Sequence, residues 1–117
     1  MPKSLNITLL TPTGERVIQA NPEEHIWDAA FRQGVTLPAL CHQGWCLTCA
    51  GRLEGPGKVD QTDSLAFFEP DRAAGFVLLC TGKACSDVTI RTEQATEMRK
   101  HRLRHRLPAP YSQGLTP

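Results

Sequence analysis

Long hydrophobic runs are missing from this sequence of 117 residues. No apolar stretch reaches the roughly 20 residues that a membrane-spanning helix needs. Neither a charged segment followed by an apolar core nor an Arg/Ser-rich leader stands at Met1, so we expect a cytoplasmic protein without a membrane span. The sequence also lacks internal repeats, and its length fits one compact domain.

A large net charge is also missing, because the formal charge is only +1. This small value hides an uneven distribution along the chain. Residues 1–97 contain eight Lys/Arg and twelve Asp/Glu, a balance of −4, whereas residues 98–117 contain five Lys/Arg and no acid, a balance of +5. Such an asymmetry concerns partners and association rates rather than the fold.

Cysteine, in contrast, is abundant, with five residues in this short chain. Without a secretory signal, metal binding is a better interpretation than disulfides. Cys41, Cys46 and Cys49 form a C-x4-C-x2-C run, and Cys80 follows after thirty intervening residues. This spacing is typical of plant-type [2Fe–2S] clusters and differs from the C-x2-C-x2-C run of bacterial ferredoxins. It predicts an iron–sulfur centre for one-electron transfer.

Zinc is the competing interpretation of these cysteines. Structural zinc sites use two short pairs, and Cys46 with Cys49 could combine with Cys80 and Cys85. We favour the cluster because its pattern leaves only Cys85 unused. Rieske ligation needs two histidines on one iron, and the loop offers only His42. Cys85 is interpreted as a partly buried free thiol, with a spare ligand or a redox-sensitive thiol as the alternative.

The pattern of apolar residues predicts an α+β arrangement. Alternating or apolar segments indicate strands at residues 4–10, 15–20, 52–54, 76–80 and 88–92. A helix is predicted from an Asn21 cap to Gln33, with Gly34 as its C-terminal cap. This helix should bury Ile26, Trp27, Ala30 and Phe31. A final helix is predicted from residue 93 to about 106, with disordered residues beyond it.

The run Cys41-His-Gln-Gly-Trp-Cys46-Leu-Thr-Cys49-Ala-Gly51 resembles the cluster loop of plant and cyanobacterial [2Fe–2S] ferredoxins. Residues 59–61, 75–78 and 86–90 resemble the same family in order and spacing, so the similarity covers residues 3–92. The resemblance implies a β-grasp fold, a ubiquitin-like roll with a mixed, mainly four-stranded sheet and one packed helix. It implies a ferredoxin domain at 1–92 and a basic helical extension with a disordered tail at 93–117, as in a divergent cyanobacterial member.

The resemblance also assigns roles around a single [2Fe–2S] cluster. Gly44 and Thr48 match the family's cluster loop and are candidate cofactor-binding residues. The implied metal ligands are divided between an outer iron and an inner iron: Cys41 and Cys46 on the outer one, Cys49 and Cys80 on the inner one.

Some loop positions depart from the family pattern. Trp45 replaces a small residue and is interpreted as a docking aromatic, with a lid over the loop as the alternative. Leu47 replaces a serine, and His42 replaces an arginine as a polar substitute. Phe67 or Phe68 lies where the family carries an aromatic important for electron exchange.

The predicted function is one-electron transfer by a monomer that is not an enzyme and has no small-molecule substrate. The resemblance implies redox-protein partners such as a ferredoxin reductase, photosystem I or a ferredoxin-dependent enzyme. A dedicated electron-donor subunit is one alternative, and a redox or iron-status sensor with a nucleic-acid-binding tail is another. The basic run at 99–106 is interpreted as a solvated helix face. Docking to an acidic partner, to nucleic acid or to an anionic membrane surface is left open. No aromatic residue is interleaved in the run, so stacking on bases is unsupported. We expect residues 93–117 to be dispensable for holding the cluster.

Overall fold

The computed structural model describes residues 4–117, and within them five strands form one mixed sheet. The strands are β1 (Leu5–Thr11), β2 (Gly14–Ala20), β3 (Ala50–Leu53), β5 (Phe76–Leu78) and β7 (Val88–Arg91). Their order across the sheet is β2-β1-β7-β3-β5, with β1 and β7 parallel and the other neighbours antiparallel. A separate antiparallel pair joins β4 (Val59–Asp60) to β6 (Lys83–Ala84).

The described chain also contains three helices: α1 (Ile26–Arg32), α2 (Glu69–Ala73) and α3 (Ala95–Arg104). The predicted α+β class with a β-grasp fold is confirmed. The sheet has five strands rather than mainly four, because β5 pairs with β3 at its edge. No helix in residues 4–117 is both long enough and apolar enough to cross a membrane.

The core lies between the sheet and α1. Alternation in β1 directs Leu5, Ile7 and Leu9 inward, and all three are buried. Ile26 and Ala30 of α1 are fully buried as well. This apolar layer fixes the ends of α1 and the middle strands, and the loop that carries three cysteines spans from one to the other.

The first helix begins later than predicted. Asn21 does not cap it; its side-chain oxygen accepts a hydrogen bond from the N–H of Glu23 at 2.9 Å, and its carbonyl accepts one from Glu24 at 3.1 Å. These bonds close a separate turn before the helix starts. Gly34 follows the helix with φ of +84°, as its predicted capping role requires. Phe31 was expected to be buried but is 59% exposed, stacked against Trp27.

The C-terminal segment differs most from expectation. Met98 and Arg102 of α3 are fully buried. Beyond the helix, the chain folds back so that the Pro108 carbonyl accepts from Arg102 and the Pro110 carbonyl accepts from Arg99. The fully buried Arg102 and the half-buried Arg99 thus hold residues 107–111 against the helix, while the disordered tail stays a prediction. The division of the chain at residue 92 stays a prediction.

Candidate metal centre

The sheet brings Cys49 and Cys80 together. Cys49 immediately precedes β3 and Cys80 lies two residues beyond β5, and these two strands pair with Ala50 opposite Leu78. The N–H of Leu79 donates to the Cys49 carbonyl at 3.3 Å, and the N–H of Cys80 points to the Cys49 sulfur at 3.4 Å. Strand pairing thus places a distant cysteine beside the loop, as the sequence spacing predicts.

Cys41 and Cys46 form a second pair at the other end of the loop, where the side chain and backbone of Cys46 help to lower the pKa of the Cys41 thiol. Burial of the Cys41 thiol opposes its ionisation, but the backbone N–H groups of Trp45, Gln43 and Cys46, together with the Cys46 side chain, outweigh burial and lower its pKa to about 7. The Gln43 nitrogen lies 3.4 Å from the Cys41 sulfur. Cys41 is half-buried, whereas Cys46 is fully buried. The loop backbone therefore favours a thiolate on the more exposed side of the site.

The inner pair shows a complementary effect. A hydrogen bond from the Cys80 thiol lowers the pKa of Cys49 despite burial, and the same bond together with burial raises the pKa of Cys80. Each pair thus favours one thiolate, the form of cysteine that binds metal. Within residues 4–117, no three His, Cys, Asp or Glu side chains converge closely enough to hold one metal ion. The thiols instead stand in two pairs.

Gly44 shapes the loop between Cys41 and Cys46. Its φ is +78°, and a Cβ built there would lie 2.8 Å from both Ser64 Cα and Thr81 Oγ1. Its carbonyl accepts from the N–H of Ala66 at 3.0 Å, which ties the loop to the segment after β4. A side chain at this position would push the loop out of place, so the predicted role of Gly44 in the loop has a steric basis.

Thr48 contacts Arg99, a residue that no motif in the sequence singles out as part of the site. Its Oγ1 accepts a hydrogen bond from Nη2 of Arg99 at 3.1 Å, and the same nitrogen donates to the carbonyl of Cys46 at 2.8 Å. Arg99 lies on α3 and belongs to the basic run interpreted as solvated. No local pattern reveals this contact, because the residues stand about fifty positions apart in the chain.

The predicted aromatic residues have mixed positions. Trp45 is half-buried and stacks on Tyr111 with ring centroids 6.0 Å apart, so it is partly covered rather than free. Phe67 packs against the core, and Phe68 lies under the guanidinium of Arg102 at 4.9 Å. Whether Trp45 docks partners or covers the loop stays a prediction.

Two further positions complete the comparison with the sequence. Cys85 is exposed rather than partly buried, since β6 ends just before it. Its backbone N–H donates to the Lys58 carbonyl at 2.9 Å, and its thiol makes only a long contact of 3.9 Å with the Lys83 carbonyl. His42 is exposed, has a left-handed φ of +57° and meets the edge of Trp27 at 4.8 Å.

A small β-grasp protein whose sheet edge and loop gather four thiols in two pairs falls in the class of iron–sulfur proteins. The profile of the 2Fe-2S iron-sulfur cluster binding domain matches residues 10–85, which include all four cysteines of the pattern. The chain belongs to this family. It is an electron carrier with one [2Fe–2S] cluster, and the zinc interpretation is set aside.

Known relatives agree with this assignment. The chain is 36% identical over 80 residues to the heterocyst ferredoxin of Nostoc sp. (strain PCC 7120 / SAG 25.82 / UTEX 2576), covering 68% of this chain and 80% of that one. It is 38% identical over 73 residues to the reductase component of propane 2-monooxygenase from Gordonia sp. (strain TY-5), covering 62% and 21%. The crystal structure of Pectocin M2 superimposes with a TM-score of 0.71 at 30% identity, covering 79% and 34%. The ferredoxin and the reductase component among these relatives imply redox proteins as partners.

Proposed function

We propose that this protein holds its cluster through four thiolates, with Gly44 and Thr48 shaping the loop around them. The proposed ligands are Cys41, Cys46, Cys49 and Cys80. The pairing of thiols at the end of β3 and β5, with backbone N–H groups directed at sulfur, is the observation that carries the proposal. When bound, the cluster supplies a one-electron couple, with a potential on the order of −400 mV for this class.

The chain's own residues control access to this site. Cys46, Cys49 and Cys80 are buried, and Cys41 is half-buried, so partners approach from the Cys41 side. N–H groups that point at sulfur stabilise negative charge, and this effect grows in importance when an electron is added. The similarity to proteins named ferredoxin supports the role of a carrier rather than that of an enzyme.

Exposed apolar side chains mark the docking surface. Leu40 precedes the first ligand and is 57% exposed, and Tyr111 is 60% exposed where it stacks on Trp45. Leu65 is 68% exposed, and its N–H donates to the Gln43 carbonyl in the loop. Tyrosine is enriched among the residues that dominate binding energy, and the leucines beside it would add buried apolar area. The proposed partners are a ferredoxin reductase, photosystem I or a ferredoxin-dependent enzyme.

A dedicated electron donor is the second candidate function. The similarity to the reductase component of a monooxygenase favours it, because that relative belongs to one enzyme system. A role in nucleic-acid sensing loses its main support, since two arginines of the basic run make internal contacts. The cytoplasmic location and the monomeric state remain predictions.

Single Cys→Ser variants of all five cysteines test the ligand assignment. We expect two irons and two sulfides per chain in wild type and in Cys85→Ser, which is the matched control. Each of the other four variants should lose the cluster or its characteristic spectrum in the reduced protein. Iron retained in full by any of those four, or lost in Cys85→Ser, would show that the ligand set is wrong.

A further inference from the structure

The guanidinium of Arg99 links the C-terminal segment to the cluster loop. Its Nη2 donates to the Cys46 carbonyl at 2.8 Å and to Thr48 Oγ1 at 3.1 Å, and its Nε donates to the Pro110 carbonyl at 2.9 Å. One of these acceptors is the carbonyl of the second proposed ligand, and another is the side chain of Thr48, which directly precedes the third. The side chain is half-buried, so these bonds are only partly exposed to competition from water.

A buried ion pair fixes the helix that carries Arg99. Arg102, one turn further along α3, is fully buried and donates from Nε to both oxygens of Asp71 at 3.0 Å. Its other nitrogens donate to the carbonyls of Ala66 and Pro108 at 2.8 Å. The helix therefore cannot slide without unpairing a buried charge, and Arg99 is held against the loop.

The segment after α3 covers the loop from a second direction. Tyr111 stacks on Trp45, and the guanidinium carbon of Arg99 lies 5.8 Å from the centre of the Tyr111 ring. Residues 95–111 thus contact the loop at Trp45, Cys46 and Thr48. We call residues 95–111 the strap.

We propose that Arg99 is a positioning residue for electron transfer: it fixes the Cys46–Thr48 stretch through the strap, and its charge favours the reduced cluster. The inference rests on the proposed ligand assignment. Arginine stays charged at all working pH values. An added electron makes the cluster more negative, so a fixed positive charge bonded beside a ligand stabilises the reduced form more than the oxidised form.

The two parts of this role respond differently to substitution. Arg99→Gln removes the charge and most donors, so the potential should become more negative and cluster loss should become faster. Arg99→Lys keeps the charge but loses the planar fork that reaches three acceptors, so the potential should stay near wild type while cluster loss is still faster. Arg104→Gln removes an exposed charge from the same helix and is the matched control.

The test measures the midpoint potential by spectroscopic redox titration and the rate at which the visible absorbance of the holoprotein decays under a chelator. At a fixed applied potential, Arg99→Gln should change the ratio of reduced to oxidised protein at least threefold, about 28 mV at 59 mV per decade. Arg104→Gln should change it less than half as much on the logarithmic scale. Decay should be at least threefold faster in both Arg99 variants and unchanged in the control.

Each result decides the proposal. Equal potentials for Arg99→Gln and Arg104→Gln would overturn the role of the charge, and unchanged decay in both Arg99 variants would overturn the positioning role. If Arg99→Gln does not assemble a cluster, Arg99→Lys still decides the proposal. Cluster decay in Arg99→Lys at the wild-type rate would refute the positioning role. A threefold change in its ratio of reduced to oxidised protein, despite the retained charge, would refute the role of the charge. A wild-type protein without two irons and two sulfides would instead refute the proposed ligand set.

Discussion

Replacing Arg102 with methionine removes the central contact of the strap. The Arg102 and Asp71 side chains are both 0% exposed, and the Nη2–Oδ2 distance is 2.9 Å. Removing one partner of a buried ion pair costs about 3–5 kcal/mol, because the remaining charge stays buried. The carbonyls of Ala66 and Pro108 lose a donor as well, at about 1 kcal/mol each. Burial of the apolar methionine side chain offsets about 1–2 kcal/mol of this loss, so we expect a net destabilisation of about 4–5 kcal/mol.

The loss should be measured as a rate. Unfolding releases the cluster and is not reversible, so an unfolding rate is better defined than an equilibrium free energy. If the ion pair forms after the folding transition state, about 4 kcal/mol corresponds to roughly 1,000-fold faster unfolding of Arg102→Met. Loss of visible absorbance and of far-ultraviolet circular dichroism in urea, extrapolated to water, would give the rate for the holoprotein.

Two variants control this experiment. Arg104→Met makes the same chemical change at an exposed position of α3 and should change the unfolding rate by less than about threefold. Adding Asp71→Asn to Arg102→Met removes the unpaired charge, while the amide still accepts from the Phe68 N–H, which now lies 2.9 Å from Asp71. The double variant should unfold more slowly than Arg102→Met. A rate for Arg102→Met equal to that of Arg104→Met would refute the reasoning.

Three further predictions address the loop, the strap and pH. Gly44→Ala should prevent cluster assembly, because its Cβ would collide with Ser64. The control is Gly34→Ala, where a Cβ meets nothing within 4 Å among the described residues. This control should keep two irons and lose only about 1–2 kcal/mol of folding stability, the cost of a left-handed backbone at alanine. Deleting residues 95–117 removes the strap contacts with the loop, so a chelator should remove the cluster faster than in the full chain. This prediction departs from our expectation from sequence that residues 93–117 are dispensable. A decay rate equal to that of wild type would contradict the role of the strap. Burial lowers the pKa of His101 in the folded protein, despite the nearby Asp71. As pH falls through about 6.5, the usual pKa of histidine, the unfolded state therefore binds more protons than the folded state, and unfolding should become faster. His101→Gln should lessen this pH dependence of the unfolding rate.

Sequence alone was sufficient for the cluster pattern because ligand spacing is local chemistry. Cys41, Cys46 and Cys49 must wrap a small inorganic core, and few other functions need a C-x4-C-x2-C run. The strands were predictable for a similar reason, since alternation in β1 directly reports which face is buried. Cys80 joined the pattern because an apolar strand precedes it.

Other features depend on contacts that a local pattern does not encode. Asn21 can cap a helix or close its own turn with the same side-chain oxygen, and the structure has the turn. Arg102 reads as a solvent-facing charge, because arginine is rarely fully buried. Its burial depends on Asp71, thirty-one residues away, and on two backbone carbonyls. The strap was therefore missed although its helix was predicted.

The internal contacts of Arg99 and Arg102 also change how the basic tail can act on partners. Of its five basic residues, Arg99 and Arg102 are engaged in internal hydrogen bonds, while Arg104 and Arg106 are exposed. Long-range steering is an effect of exposed charges and is screened by salt. Deleting the whole segment would mix lost steering with a loosened cluster loop. The effect of the tail on association should therefore be read from Arg104→Gln and Arg106→Gln, which leave the strap contacts in place.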